Sequence, residues 1–182
     1  MSKLRVVTVS GNLGAPSKTL ALAEQILAAL RNIQDIDQEI YQLADLAAVF
    51  GPARHPGELP QVGHDVLQAI ASADILLAVT PVYKGSYTGL FKHVFDFLDP
   101  KAIIDVPVIL AASAGGEKHA LVLEHQLRPL FGFFGALTVP SGIYAVEQSF
   151  VDGKYTDSVV LERIETAAAQ AIHFANSRKN KH

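Results

Sequence analysis

Three short segments of the chain combine glycine with hydroxyl, basic or aromatic side chains at spacings suited to binding a ligand. The first is Ser10-Gly11-Asn12-Leu13-Gly14-Ala15-Pro16-Ser17-Lys18-Thr19. Its glycines let the backbone approach an anion and its hydroxyls can donate hydrogen bonds. A helix starting at Ser17 would add unpaired amides carrying partial positive charge. This chemistry suits a phosphate, although an ordinary glycine- and serine-rich turn has the same composition. Two nucleotide motifs nearly fit and fail. The ATP-binding loop needs glycine directly before Lys-Thr, where Ser17 stands, and Gly11 and Gly14 do not complete G-x-G-x-x-G. The second segment, Thr80-Pro81-Val82-Tyr83-Lys84-Gly85-Ser86-Tyr87-Thr88-Gly89, sets two tyrosines among small residues. Such rings either flank a planar ligand or pack on neighbouring chains. The third, Ser113-Ala114-Gly115-Gly116, precedes Glu117-Lys118-His119. Its paired glycines permit close approach to a flat ring, or form a plain tight turn.

The elements that must position these segments alternate between strand and helix. Leu4–Val9 is a β-branched run, and Ser17–Leu30 repeats Leu20, Ala23, Leu27 and Leu30 at helical spacing with Ser17 as its N-cap. Glu39–Leu43 reads as a second strand, and Gly51–Gly63, with three prolines and three glycines, as a loop. A helix over Asp65–Ala73 leads to a strand over Asp74–Val79, and Tyr87–Leu98 is amphipathic, with Leu90, Phe91, Val94, Phe95 and Leu98 on one face. Val106–Ala112 is apolar on both faces, as a buried parallel strand should be. His119–Phe134 is helical, Leu137–Val146 contains a fifth strand, Asp152-Gly153 has tight-turn chemistry and Ser158–Phe174 is a terminal helix. The alternation predicts a three-layer α/β/α sandwich around a five-stranded parallel sheet of flavodoxin-like order 2-1-3-4-5. Ligands of such sheets bind beyond the carboxyl ends of the strands, where the three segments lie. Residues 1–177 are expected to form a single domain, and the basic tail 178–182 to be disordered.

Composition narrows the function. The 182 residues include no cysteine, which excludes thiol catalysis, disulfides and cysteine-ligated metal, and fits a reducing cytoplasm. A net charge of −3 provides no basic stripe for nucleic acid. No apolar run approaches the length of a membrane span, and no secretory leader is expected at the start. Apolar residues reach 49% and charged residues only 18%, below the usual ~25%, which points to surface hidden in a homo-oligomer.

Gly11–Thr19, Thr80-Pro81-Val82-Tyr83 through Tyr87-x-Gly89-x-x-Lys92, and Ala114-Gly115-Gly116 with His119 resemble the NAD(P)H-dependent FMN reductase family. The similarity runs from Arg5 to about Tyr155 and is strongest toward the flavin reductases of alkanesulfonate and methanesulfonate monooxygenase systems. It implies a flavodoxin-like fold and an NAD(P)H:FMN oxidoreductase that supplies reduced FMN to a partner sulfonate or sulfone monooxygenase. On this reading the phosphate of FMN sits on Ser10, Ser17, Lys18 and Thr19, the isoalloxazine lies against Pro81, Val82, Tyr83, Gly115 and Gly116, and Asn12 and Ala114 are further cofactor-binding candidates. Lys84, Tyr87 and His119 complete the candidate cofactor-binding set, Lys84 being either near a phosphate of NAD(P)H or merely solvated. Many members carry an arginine in the phosphate loop where this chain has Gly14, so Lys18 and the hydroxyls must do more. The resemblance favours a tetramer over a dimer.

Leu123-Glu124-His125-Gln126-Leu127-Arg128-Pro129 places a proline inside a helix. Its missing amide leaves the His125 carbonyl without its regular partner, and a π-bulge or kink is the usual relief. The resemblance adds an inserted residue, commonly tyrosine, that makes a π-helix at a subunit interface near the flavin; His125 matches it and is a candidate modulator. The alternative is a surface histidine on a kinked helix. His119 and His125, six apart, fall on different faces, so no zinc pair and no metal site is expected. His93 is placed opposite the apolar stripe of its helix. No side-chain acid or base is needed for hydride transfer, so no catalytic residue is assigned with certainty. Rival readings are a quinone or azo reductase holding FMN tightly, a flavodoxin-type electron carrier and a phosphate-loop hydrolase.

Overall fold

Burial on both faces, dictated by unbroken apolar runs, organises the central sheet. In the computed structural model, which describes residues 3–180, β1 (Leu4–Ser10), β3 (Ile75–Pro81) and β4 (Pro107–Ala114) are buried along almost their whole length. β2 (Ile36–Gln42) pairs with the outer side of β1 and is more polar, as an edge strand should be. All pairings in this sheet are parallel and the order is β2-β1-β3-β4-β5, as the alternation predicts. The fifth position is divided between β5 (Leu137–Thr138) and β6 (Ile143–Val146), which both pair with β4. Pro140, in the interval between them, has no N–H to give to a ladder.

Parallel neighbours require crossovers, and these cover the sheet. α1 (Lys18–Ile33) and α6 (Ser158–Lys179) bury Leu22, Ile26, Leu30, Ile164 and Ala171 against one face. The other face lies under α2 (Leu43–Phe50), α3 (Gln61–Ala71), α4 (Gly89–Asp96) and α5 (Arg128–Phe133), whose Phe50, Phe91, Phe95 and Phe131 are among the largest fully buried side chains. Among the described residues no helix is long and apolar enough to cross a membrane.

Several sequence expectations shift. α2 was not anticipated; its eight residues lack a side-chain cap and are held by burial of Leu43, Leu46 and Phe50. α3 starts at Gln61 rather than Asp65. Gly63, read as loop punctuation, lies in its first turn, where a Cβ would come within 3.2 Å of Leu59 and Val49. His93 is half-buried, with Nε2 3.0 Å from the carbonyl oxygens of Phe50 and Ala53, so it ties α4 to the end of α2 instead of facing solvent. The expected disordered tail is also corrected. Arg178 and Lys179 form the last turn of α6, Lys179 pairs with Asp74 at 2.7 Å, and Asn180 is the C-cap. Cations at a helix C-terminus are favoured by its dipole. Residues 181 and 182 lie outside the described residues.

The expected helix over His119–Phe134 is three pieces: a 3₁₀ turn (Glu117–His119), a π-helix (Leu123–Leu127) and α5. The Arg128 N–H donates to the Leu123 carbonyl, five residues back, which is π spacing. The distortion falls where Pro129 was expected to force one. Phe95 of α4 packs edge-on against Phe131 of α5 at 5.0 Å, joining the two helices, and lies tilted against Phe91 of its own helix at 5.1 Å. Phe95→Ala is expected to cost about 3–5 kcal/mol in urea unfolding with an unchanged m-value.

Candidate active site

β1, β3 and β4 end side by side, so the segments that follow them share one cleft. The Gly11 N–H donates to the Val79 carbonyl at 2.7 Å, carrying the β1–β3 contact into the first loop. A Cβ on Gly11 would sit 2.7 Å from Thr80 Oγ1 and 3.1 Å from its Cα, so only glycine fits. Beyond it the chain crosses a cis Ala15–Pro16 peptide to Ser17, the N-cap of α1, whose Oγ accepts the Leu20 N–H at 3.1 Å.

The first cleft has a volume of about 480 Å³, within the size range of small-molecule sites. Asn12, Ser17, Lys18 and Thr19 line one end of it, Pro81, Val82 and Tyr83 one side, and Ala114 with Gly115 the other. Ser10 does not reach it: the side chain is fully buried, and its hydroxyl donates to Asn12 Oδ1 at 2.7 Å. Asn12 in turn donates to the Gly14 carbonyl and Gln42 Oε1, so its amide braces the loop from beneath. Ser10 therefore stands beneath the lining and supports Asn12.

The second segment contains a two-residue hairpin. Tyr83 and Ser86 exchange backbone hydrogen bonds around Lys84 (φ 53°) and Gly85 (φ 83°), as a type I′ turn requires. This geometry presents Tyr83, 53% exposed, at the cleft and points the chain away at Lys84, which does not line it. Tyr87 is also outside; it packs on Phe91 at 5.9 Å and borders a groove between α4 and α5 with His125. Gly116 and His119 line an adjoining open groove with Ser149 and Asp157, and the Tyr144 hydroxyl holds the Gly116 carbonyl at 2.6 Å. His125 lies behind the hairpin, linked to it through Gln126, whose Oε1 accepts from the Ser86 hydroxyl at 3.1 Å.

Of the lining residues, Glu147 and Tyr155 lie outside all three segments, while Ser113, like Leu13 to Pro16, stands within one without having been singled out. Ser113 stood in the third segment and carried a visible signal. Glu147 and Tyr155 arrive on an arm built from a 3₁₀ turn (Glu147–Ser149) and a hairpin of β7 (Phe150–Val151) and β8 (Lys154–Tyr155), closed by Asp152-Gly153 as its turn chemistry predicts. Gln25 of α1 pins the arm, donating to the Tyr155 carbonyl at 2.9 Å and accepting its N–H at 2.8 Å. Below the cleft, the Thr19 and Ser113 hydroxyls share a hydrogen bond of 2.6 Å. Burial pushes the Tyr155 phenol up to about 12, with Ser113 beside it pulling the other way and Glu147 adding to the rise.

The cleft fits a flavin mononucleotide in two respects. Its α1 end offers the N-terminal amides of a helix, the Ser17 hydroxyl proton and Lys18, a donor set for a phosphate. Its floor at Gly115 has no atom closer than 4.0 Å to a would-be Cβ, leaving a slot for a flat ring opposite Tyr83. A doubly covered parallel sheet with such a cleft at its β1/β3 switch point defines a flavodoxin-like mononucleotide-binding protein. The chain belongs to the NADPH-dependent FMN reductase family, whose model matches residues 4–151. It is 48% identical over 168 residues to the NADH-dependent FMN reductase SfnF of Pseudomonas fluorescens, covering 92% of this chain and 90% of that one. Over 177 residues it is 46% identical to an FMN reductase (NADPH) of Pseudomonas aeruginosa, covering 97% and 95% of the two chains. Among solved structures, an oxidoreductase from Corynebacterium diphtheriae superposes with a TM-score of 0.85 at 30% identity, covering 96% and 98%.

Gly11→Ala is expected to cost about 1–3 kcal/mol by overpacking and to weaken flavin uptake. Thr80→Ala, which removes the nearest clashing atom, should partly restore both in thermal melts and FMN titration. Tyr155 supplies a pH test. Its folded pKa lies above the ordinary ~10, so its contribution to stability is complete below pH 10 and lost as pH rises toward about 12. Tyr41, beside Glu39 on β2 and likewise pushed up to about 12, titrates in the same late phase, and burial raises Tyr144 as well; Tyr155→Phe should remove one part of that late phase from the phenolate absorbance.

Proposed function

We propose that the chain forms a single flavodoxin-like unit that transfers a hydride from NAD(P)H to FMN and releases the reduced flavin to a sulfonate or sulfone monooxygenase. The observation that carries this reading is the meeting, in one cleft, of the α1 N-terminus with the Gly115 floor and the exposed Tyr83 ring. Ser17, Lys18 and Thr19 hold the phosphate, while Pro81–Tyr83 and Ala114–Gly115 orient the ring. Bound FMN supplies the redox chemistry, accepting the hydride that NAD(P)H donates. The adjoining groove at Gly116–His119 opens directly beside the floor and offers the nicotinamide nucleotide a path to it. The two relatives described above are named for different coenzymes, one for NADH and one for NADPH, so both belong in the assay.

The cytoplasm, where the monooxygenase and its coenzymes meet, is the proposed compartment. A homo-oligomer, dimer or tetramer, is proposed from the apolar side chains standing out around the π-helix and α5. Leu121 is 65% and Phe133 71% exposed, and Phe133 flanks a groove of about 600 Å³ shared by His125 and Tyr87. His125 is proposed to modulate flavin retention from this side, acting through Gln126 and Ser86 on the hairpin that presents Tyr83.

Steady-state oxidation of NADH and NADPH, with and without added FMN, tests the activity. Turnover that requires added FMN, from protein purified without yellow colour, is the expected result. Quinone reduction outpacing flavin reduction by tightly yellow protein would overturn it. His125→Ala is expected to change the FMN dissociation constant by about three- to fivefold, roughly 0.6–1 kcal/mol, with unchanged melting. If retention and turnover are both unaltered, His125 leaves the site.

A further inference from the structure

The phosphate end of the flavin cleft contains one cation and, pressed against it, one anion. Among the described residues lining the cleft, Lys18 and Glu147 are the only charged side chains. Lys18 Nζ donates to Glu147 Oε1, and the same ammonium lies 5.7 Å from the centre of the Phe150 ring. Phe150 is itself seated edge-on against Tyr155 at 5.0 Å, so the arm that carries Glu147 also provides the face on which the lysine rests. The other carboxylate oxygen reaches to 4.0 Å from the position a Cβ would take on Gly115. Glu147 thus extends from the phosphate loop toward the third loop. Gly14, with no side chain and open space where a Cβ would stand, adds no second cation to the loop.

A carboxylate in this position occupies the counter-ion that a flavin phosphate needs. A phosphate monoester brings a charge of about −1.5 to −2, and because the ammonium has three N–H donors it must either displace Glu147 from Lys18 or share the lysine with it. In either case Glu147 is a like charge close to the phosphate. The pair is substantially exposed, at 43% and 59%, and exposed ion pairs contribute only about 0–1 kcal/mol, so the exchange is readily reversible.

We infer that Glu147 is an internal competitor for the flavin phosphate, an affinity-determining residue that returns to Lys18 as the flavin leaves and thereby speeds its release. The inference rests on the flavin reading of this cleft and adds to it a residue that opposes binding. It predicts an effect confined to the phosphate, so riboflavin, which has the ring and ribityl chain alone, serves as the control.

Calorimetric and fluorescence titrations with FMN and riboflavin on wild type, Glu147→Gln and Lys18→Met test it. Glu147→Gln should bind FMN roughly three- to tenfold tighter and release it correspondingly slower in stopped flow, with riboflavin affinity unchanged. Lys18→Met should weaken FMN alone, and the gain from Glu147→Gln should shrink in its background. FMN affinity in Glu147→Gln equal to or below that of wild type overturns the competitor role, as does an equal gain for riboflavin. Wild type that takes up no FMN overturns the flavin site itself.

Discussion

Gly11 has to lie against Thr80 with no side chain between them, and the site depends on that close approach. β1 and β3 pair from Val6–Ile75 to Ser10–Val79, and the Gly11 N–H extends the ladder by one more bond. Because the two backbones stay together to this point, the first loop leaves the sheet directly above the end of β3. The second loop begins at the same level, and Val82 takes its own amide to the Ser113 carbonyl of β4 at 2.9 Å. Three chain exits are thereby fixed relative to one another by backbone hydrogen bonds within the rigid layer of the molecule. A site assembled in this way has its geometry set by the sheet, and the loops need only supply chemistry.

The π-helix is the second constraint, and it follows from one residue. Pro129 cannot donate to His125, and the preceding turn widens so that the Arg128 amide meets Leu123 instead. The Arg128 side chain then braces the widened turn. It binds Glu124 within the helix and reaches Thr138 Oγ1 and the Val139 carbonyl across the gap between β5 and β6. This pairing also holds the Glu124 carboxyl below the usual range. The interruption of the fifth strand and the interruption of the helix are therefore joined by one guanidinium. On its other side the π-helix touches the Tyr83 hairpin through Gln126, which gives the distortion a physical route to the cleft edge.

The sheet order and the site's location were legible because they depend on patterns that sequence carries directly. Buried parallel strands are runs of Val, Ile, Leu and Ala, and a helix start at Ser17 has its own cap chemistry. The turn at Asp152-Gly153 and the distortion ahead of Pro129 were legible for the same reason, each being a local backbone demand. What escaped was set by tertiary packing. α2 is too short for periodicity to show and exists because Leu43, Leu46 and Phe50 find the core. The residues at the end of α6 look like a polar tail, yet Asn176 and Lys179 find Gln34 and Asp74 from far along the chain. Ser10 has the right type for a ligand contact, but the direction of its side chain was decided by the pleat of β1, which turns it inward to Asn12. Glu147 and Tyr155 come to the cleft from the arm beyond β6, and no spacing in the sequence announces that return.

The donors at the phosphate end are partly engaged before any ligand arrives, and this determines what kind of grip the cleft can have. Asn12 is committed to the loop, and Lys18 to Glu147. Of the Thr19 and Ser113 hydroxyls, one proton is spent on their mutual hydrogen bond, while Ser17 accepts from Leu20 and keeps its own proton to give. A phosphate entering here largely exchanges one set of hydrogen bonds for another, and exchange of that kind leaves only a modest net gain. An enzyme that stored its flavin would be better served by unpaired arginines or lysines waiting at the loop. One that must surrender reduced flavin to another protein is better served by protein groups ready to reclaim each donor, and the arm carrying Glu147, anchored by Gln25, keeps such a group within reach of Lys18.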